Sequence, residues 1–121
     1  MGRVADDSGD AGLCRNTDIV VDEEATLILN NSKIKLLGNY ISVKHNASFI
    51  IGSDSPFEST DIDFNNCDLY CYPNITLNIK NSKLTSRKNW DLNIEQLLSV
   101  VNTSINFKIN NNNKTNMIMK N

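Results

Sequence analysis

Apolar residues alternate with polar ones along much of this chain, and the alternation repeats. Val21, Ala25, Leu27 and Leu29 in the segment VDEEATLIL (21–29) align with Val43, Ala47, Phe49 and Ile51 in VKHNASFII (43–51), at an offset of 22 residues. TLILNNSKI (26–34) recurs as TLNIKNSKL (76–84) at an offset of 50. IDFNNCDL (62–69) carries the same frame at an offset of 35, and VNTSINF (101–107) is a weaker copy. Alternation of this kind predicts strands with one buried face. The Asn-Asn or Lys-Asn pair after each strand supplies backbone angles that β-branched residues reach only at a cost. Strand, asparagine corner and strand make up much of one solenoid coil. Stacking coils places Leu27, Phe49 and Leu77 on top of one another, a face that no single coil can bury alone.

VDEEATLILNNSKIKL and YPNITLNIKNSKLTS resemble the coils of right-handed parallel β-helix proteins, the architecture of pectate lyases and of many adhesin-like surface proteins. The resemblance covers residues 19–86 and again 100–110. It implies an all-β solenoid of about four coils and an asparagine ladder at one corner, for which Asn31, Asn66 and Asn81 stand in the matching places. It carries little about function, because the repeats are scaffold rather than site.

Two stretches depart from the repeat. Gly52–Ser59 is a loop by composition. In 91–101, Ile94, Leu97, Leu98 and Val101 follow the helical spacing with Asp91 as a cap, which predicts a short C-terminal helix packed on the solenoid; the competing reading makes Leu97–Val101 another strand. Residues 1–18 and 111–121 offer little to bury, so the expected organisation is a disordered leader, a solenoid over 19–110, and a disordered tail.

Composition sharpens the picture. Twenty of the 121 residues are asparagine, a poor former of helix interiors and strands that tolerates left-handed turns. The formal charge of -2 sets up no field that would recruit nucleic acid or an anionic membrane. An acidic start (Asp6, Asp7, Asp10) and a mildly basic tail (Lys108, Lys114, Lys120) read as solvated ends. No apolar run is long enough for a signal peptide or a membrane span, so membrane insertion is not expected, and an extracellular setting would require a longer exported protein. The three cysteines, Cys14, Cys67 and Cys71, are an odd number; in one extended strand, Cys67 and Cys71 would lie roughly 13 Å apart, too far for a disulfide, so buried thiols are expected. Five Asn-x-Ser/Thr sequons, at Asn30, Asn46, Asn74, Asn102 and Asn113, compare with about three from chance placement.

Polysaccharide cleavage is the enzymatic activity that the resemblance raises. Polygalacturonase-type hydrolases share an Asn-Thr-Asp, a paired aspartate, a Gly-His-Gly and an Arg-Ile-Lys, in that order. Here Asn16-Thr17-Asp18 is present, Asp6-Asp7 precedes it, His45 lies in Lys-His-Asn, and the last motif is missing. Lyase chemistry would need calcium ligands and a base, and Asp61, Asp63 and Asp68 with Lys83, Arg87 or Lys88 are the candidates. Alternation turns Asp61 and Asp63 outward, since Ile62 and Phe64 need the other face. His45, the only histidine, reads as structural; Trp90, Tyr70 and Tyr72 could form a platform for sugar rings or fill the core. The sequence thus predicts a non-catalytic structural or binding module of an adhesin-like surface protein, with no catalytic, cofactor or metal residues. Its expected partner is a glycan or a surface protein. The alternatives are a polysaccharide-active enzyme or its remnant, and a viral or phage fibre segment.

Overall fold

Fifteen short strands and no helix occupy the described residues, 12–15 and 18–120, of the computed structural model. One sheet holds β1 (Gly12–Arg15), β4 (Lys33–Leu37), β7 (Thr60–Asp63), β10 (Ser82–Thr85) and β13 (Ser104–Ile105), hydrogen-bonded in that order. A second holds β2 (Ile19–Val21), β5 (Tyr40–Val43) and β8 (Asp68–Cys71). The pair β11 (Trp90–Leu92) and β14 (Ile109–Asn111) extends that side, with β11 packed over β8. The third runs β3 (Thr26–Leu29), β6 (Ser48–Ile51), β9 (Thr76–Lys80), β12 (Leu97–Val101) and β15 (Met117–Lys120). Every pairing among the described residues is parallel, and the chain visits the three sides in rotation, so paired strands lie three places apart in the chain, with β8 and β11 packed but not paired. These stacked parallel sheets are compatible with a parallel β-helix.

Alternation builds the interior. In β3 and β4 the buried residues are Leu27, Leu29, Ile34 and Leu36, while Thr26, Ile28, Lys33 and Lys35 face out. Register then stacks like on like: Leu27 opposite Phe49, Phe49 opposite Leu77, Leu77 opposite Leu98, and Leu98 opposite Met117. Phe49, Leu77 and Leu98 are fully buried. Each buried side chain of this size contributes about 1.5–3 kcal/mol of burial free energy, available only once a neighbouring strand covers it.

Corners explain the asparagines. Asn31, Asn46, Asn65, Asn81 and Asn102 all have positive φ, between 46° and 58°, a region in which asparagine is enriched among residues other than glycine. Gly52, at φ 87°, takes the same part at the start of the long loop; a Cβ there would collide with the Lys80 carbonyl, so no other residue fits. That loop stretches the pairing: Leu29 meets Ile51, 22 positions on, but Ile51 meets Ile79, 28 positions on.

Three sequence expectations are corrected here. Residues 91–101 form no helix: Leu97–Val101 is the strand β12, held between β9 and β15. Of the four residues at helical spacing, Ile94 and Leu98 are buried, while Leu97 and Val101 are only half-buried. Two parallel ladders bond the backbone of β12 on both sides, and Val100 and Val101 suit a strand, which outweighs an apolar spacing that fits either structure. The copy at offset 35 is out of phase, because Ile62 pairs with Ile34 on the first sheet and not with the third-sheet Leu27. Asn66 therefore sits at a different corner from Asn31 and Asn81.

Ordered structure also extends past 19–110. Gly12–Arg15 pairs with β4 and Met117–Lys120 with β12; residues 1–11, 16, 17 and 121 lie outside the described residues. Within the asparagine run, Asn111 is buried, and its side-chain amide serves both backbone groups of Ile94, accepting from the N–H at 2.7 Å and donating to the carbonyl at 3.0 Å. An amide so satisfied costs little to bury and ties β14 to the turn before β12.

Candidate functional site

Four surfaces gather the residues with functional chemistry. On the outside of the first sheet, Lys33 on β4 is opposite Asp61 on β7, which is opposite Lys83 on β10; Lys35 is opposite Asp63, which is opposite Thr85. Strand spacing sets such neighbours about 5 Å apart. The two aspartates considered as calcium ligands are thus interleaved with lysines, an arrangement that balances charge and leaves no concentrated negative site. Asp68 is on another sheet, where Lys88 Nζ approaches its carboxylate at 3.2 Å. Among the described residues no three His, Cys, Asp or Glu side chains converge as metal ligands would.

The second surface is the corner between the second and third sheets. Asn74 Nδ2 donates to Asn46 Oδ1 at 3.1 Å, and His45 Nδ1 lies 3.1 Å from Asn74 Oδ1. The His45 ring meets Tyr72 edge-on, with centroids 4.2 Å apart, and Lys44 Nζ lies 5.5 Å from the Tyr72 ring centre. His45 is exposed and held by an amide and an aromatic edge; among the described residues no hydrogen bond joins it to a carboxylate of the kind that orients a general base. Its structural reading fits this geometry.

At the corner between the third and first sheets, two asparagine side chains are linked from coil to coil. Asn102 Nδ2 donates to Asn81 Oδ1 at 2.7 Å, and Asn81 Nδ2 donates to the Ser53 carbonyl at 2.6 Å. Asn31 shares the corner, where its backbone N–H donates to Thr60 Oγ1 at 2.8 Å. The link involves Asn102, which a reading based on strand copies did not single out. Its signal was the weak repeat at 101–107.

The aromatics part company. Trp90 is buried between Phe64 and Phe107, at centroid distances of 5.0 and 4.8 Å, an interior column rather than a sugar platform. Its indole N–H meets no acceptor among the described residues. Tyr70 is exposed beside Tyr40 with ring centres 6.0 Å apart, and Tyr72 is half-buried. Both cysteines beyond Cys14 are free thiols. Burial pushes Cys67 up to about 11, with the Asp68 charge adding to it, and burial pushes Cys71 up to about 12. Neither is poised as a nucleophile at neutral pH.

The fourth surface is the end of the stack formed by β13, β14 and β15, where a cavity of about 630 Å³ opens between Ser82, Val100, Ile105, Phe107, Ile109 and Met119. Ile105, Phe107 and Ile109 are only half-buried, and Met119 is 46% exposed. At the opposite end Leu27 and Leu29 are 3% and 5% exposed. No local pattern in the sequence marks this cavity, because Ser82, Val100, Ile105 and Met119 come together only in the fold.

No helix among the described residues is long and apolar enough to cross a membrane. No family model, curated protein or solved structure matches the chain.

Proposed function

We propose that this chain is a non-catalytic β-solenoid module, a right-handed parallel β-helix that serves as a structural and binding element of an adhesin-like surface protein. Rotation of the chain through three sides supports the solenoid, and fifteen strands taken three at a time support five circuits rather than about four. Parallel strands joined by crossovers are right-handed in about 98% of cases, which supports the hand. The observation that carries the non-catalytic reading is the interleaving of Asp61 and Asp63 with Lys33, Lys35 and Lys83. Carboxylate catalysis on polysaccharides needs two acids held across one bond, and lyase chemistry needs several around one ion; paired rows of opposite charge serve neither. The exposed Tyr70 on the second sheet, beside Tyr40, offers an aromatic face to a glycan, and the outward rows of the first sheet offer a charged face to a surface protein.

The test is direct incubation with polygalacturonate and pectin, with and without calcium, following unsaturated products and reducing ends. No turnover above a buffer blank is expected, while immobilised glycans retain the protein through Tyr70, so that Tyr70→Ala lowers retention. Product release that Asp61→Asn abolishes would overturn the reading in favour of the enzyme.

A further inference from the structure

The first sheet turns charged rows outward, and the third turns out rows with no charge at all. We propose that this outer face of the third sheet docks a second copy of the chain, the two sheets packing face to face about a two-fold axis. The contact adds a self-association to the module reading above, which uses the other two sheets, and does not depend on it.

Register lays the face out in rows. One row runs Ile28, Ile50, Asn78, Ser99 and Ile118 across all five strands of the sheet. The row beside it runs Thr26, Ser48, Thr76 and Leu97. Alternation points these side chains outward, and none of them is ionisable. On the other flank lies a margin of Lys80, Val101 and Lys120, where Lys80 Nζ is already bound by Asp54 at 2.6 Å. Ile28 is 53% and Ile118 40% exposed, and Ile50, Leu97 and Val101 are half-buried, so aliphatic carbon meets solvent on four of the five strands. All five strands lie within the described residues, and the contact uses their faces rather than their edges.

The loop after β6 adds an anchor at the rim. It is tied down by the Lys80–Asp54 pair, by Asn81 Nδ2 donating to the Ser53 carbonyl at 2.6 Å, and by Ser53 Oγ donating to Glu58 Oε1 at 3.0 Å. Phe57, within this loop, is 95% exposed. An aromatic ring presented by a loop that is already ordered costs little further entropy when a partner covers it.

A second copy is the occupant that these features fit. A two-fold contact sets a surface against itself, so any charge near the axis would face its own like; the two uncharged rows avoid that cost. Five strands about 4.8 Å apart and three rows about 6.7 Å apart make a face of roughly 400 Å². Phe57 adds about 150–200 Å² when covered. Two copies together then bury about 1,100–1,200 Å², the low end for specific contacts, so the dimer is weak and reversible.

Sedimentation velocity of the full chain, from low micromolar to millimolar concentration, tests this. A monomer–dimer equilibrium is expected that salt leaves unchanged or strengthens, since no charge pair holds the contact. Ile28→Lys/Ile50→Lys, and separately Phe57→Ala, should each weaken association about tenfold or more. Asn78→Asp should weaken it too, by setting two carboxylates near the axis, whereas Lys33→Glu on the first sheet should not. Phe57→Ala and Asn78→Asp keep the test available if the lysine pair disturbs folding, which dichroism and Trp90 emission report. A wild-type monomer at all concentrations with intact β dichroism would overturn the contact and leave the module reading standing. Dimers undiminished by a folded Ile28→Lys/Ile50→Lys would also overturn it, by placing association on another surface.

Discussion

Leu77 tests the register on which the whole architecture depends. It is fully buried in β9, with Phe49 opposite on one side and Leu98 on the other. Asn78, the next residue, points out between Ile50 and Ser99 and is half-buried. Leu77→Ala removes three buried carbons from a stack whose neighbours are fixed by ladders on both sides, so collapse into the gap is limited. The cost expected for such a site is about 3–5 kcal/mol, from lost transfer free energy and the residual cavity together. For a chain of this length, each kcal/mol shifts the melting temperature by about 4 °C, so a fall of about 12–20 °C follows. Leu77→Asp buries an unpaired carboxylate, which costs an amount comparable to the entire stability of a domain, and should prevent folding. Asn78→Ala and Asn78→Asp should each stay within about 0.5 kcal/mol of wild type. The assay is thermal unfolding followed by far-ultraviolet dichroism together with the emission of Trp90, the only tryptophan and a buried one. Equal melting temperatures for Leu77→Ala and Asn78→Ala would refute the register, and with it the stacked interior.

Gly52→Ala should destabilise by about 1–3 kcal/mol or more, because it combines a strained φ with a collision against the Lys80 carbonyl; denaturant titration reads the loss, and an unchanged midpoint would refute the close approach. Asn81→Val should cost about 1–2 kcal/mol in the left-handed corner, plus its bonds to Ser53 and Asn102, while Asn81→Gly recovers the backbone part, as thermal melts of the two would show. Cys67 and Cys71 are raised in the folded state to about 11 and about 12, so their contribution to stability is complete below the ordinary thiol pKa of about 8.5 and is lost as pH rises through the folded values. Unfolding midpoints should therefore fall in alkaline solution for wild type and fall less for Cys67→Ala/Cys71→Ala. Dichroism of the native chain should show β-structure without a helical minimum, and a helical contribution over 91–101 would contradict β12.

The sequence by itself determined which residues point inward and where the chain turns. Alternation is a local property, and Leu27, Phe49, Leu77 and their inward neighbours were legible from it, as were the asparagine corners, since a left-handed φ is a demand on one residue at a time. It did not determine which corner was which. The unit of strand, asparagine pair and strand occurs on more than one side of the stack, so IDFNNCDL matched TLILNNSKI in pattern while lying on a different sheet. The segment 91–101 was ambiguous for a related reason: Ile94, Leu97, Leu98 and Val101 fit a helix by spacing, and only the ladders from β9 and β15 made a strand the lower free-energy state. Candidate chemistry followed the same division. That Asp61 and Asp63 face outward was a local inference; that Lys33 and Lys83 flank Asp61 depends on pairings across more than twenty residues. The cavity between Ser82, Val100, Ile105 and Met119 is likewise tertiary, because residues far apart in the chain line it only once the strands stack.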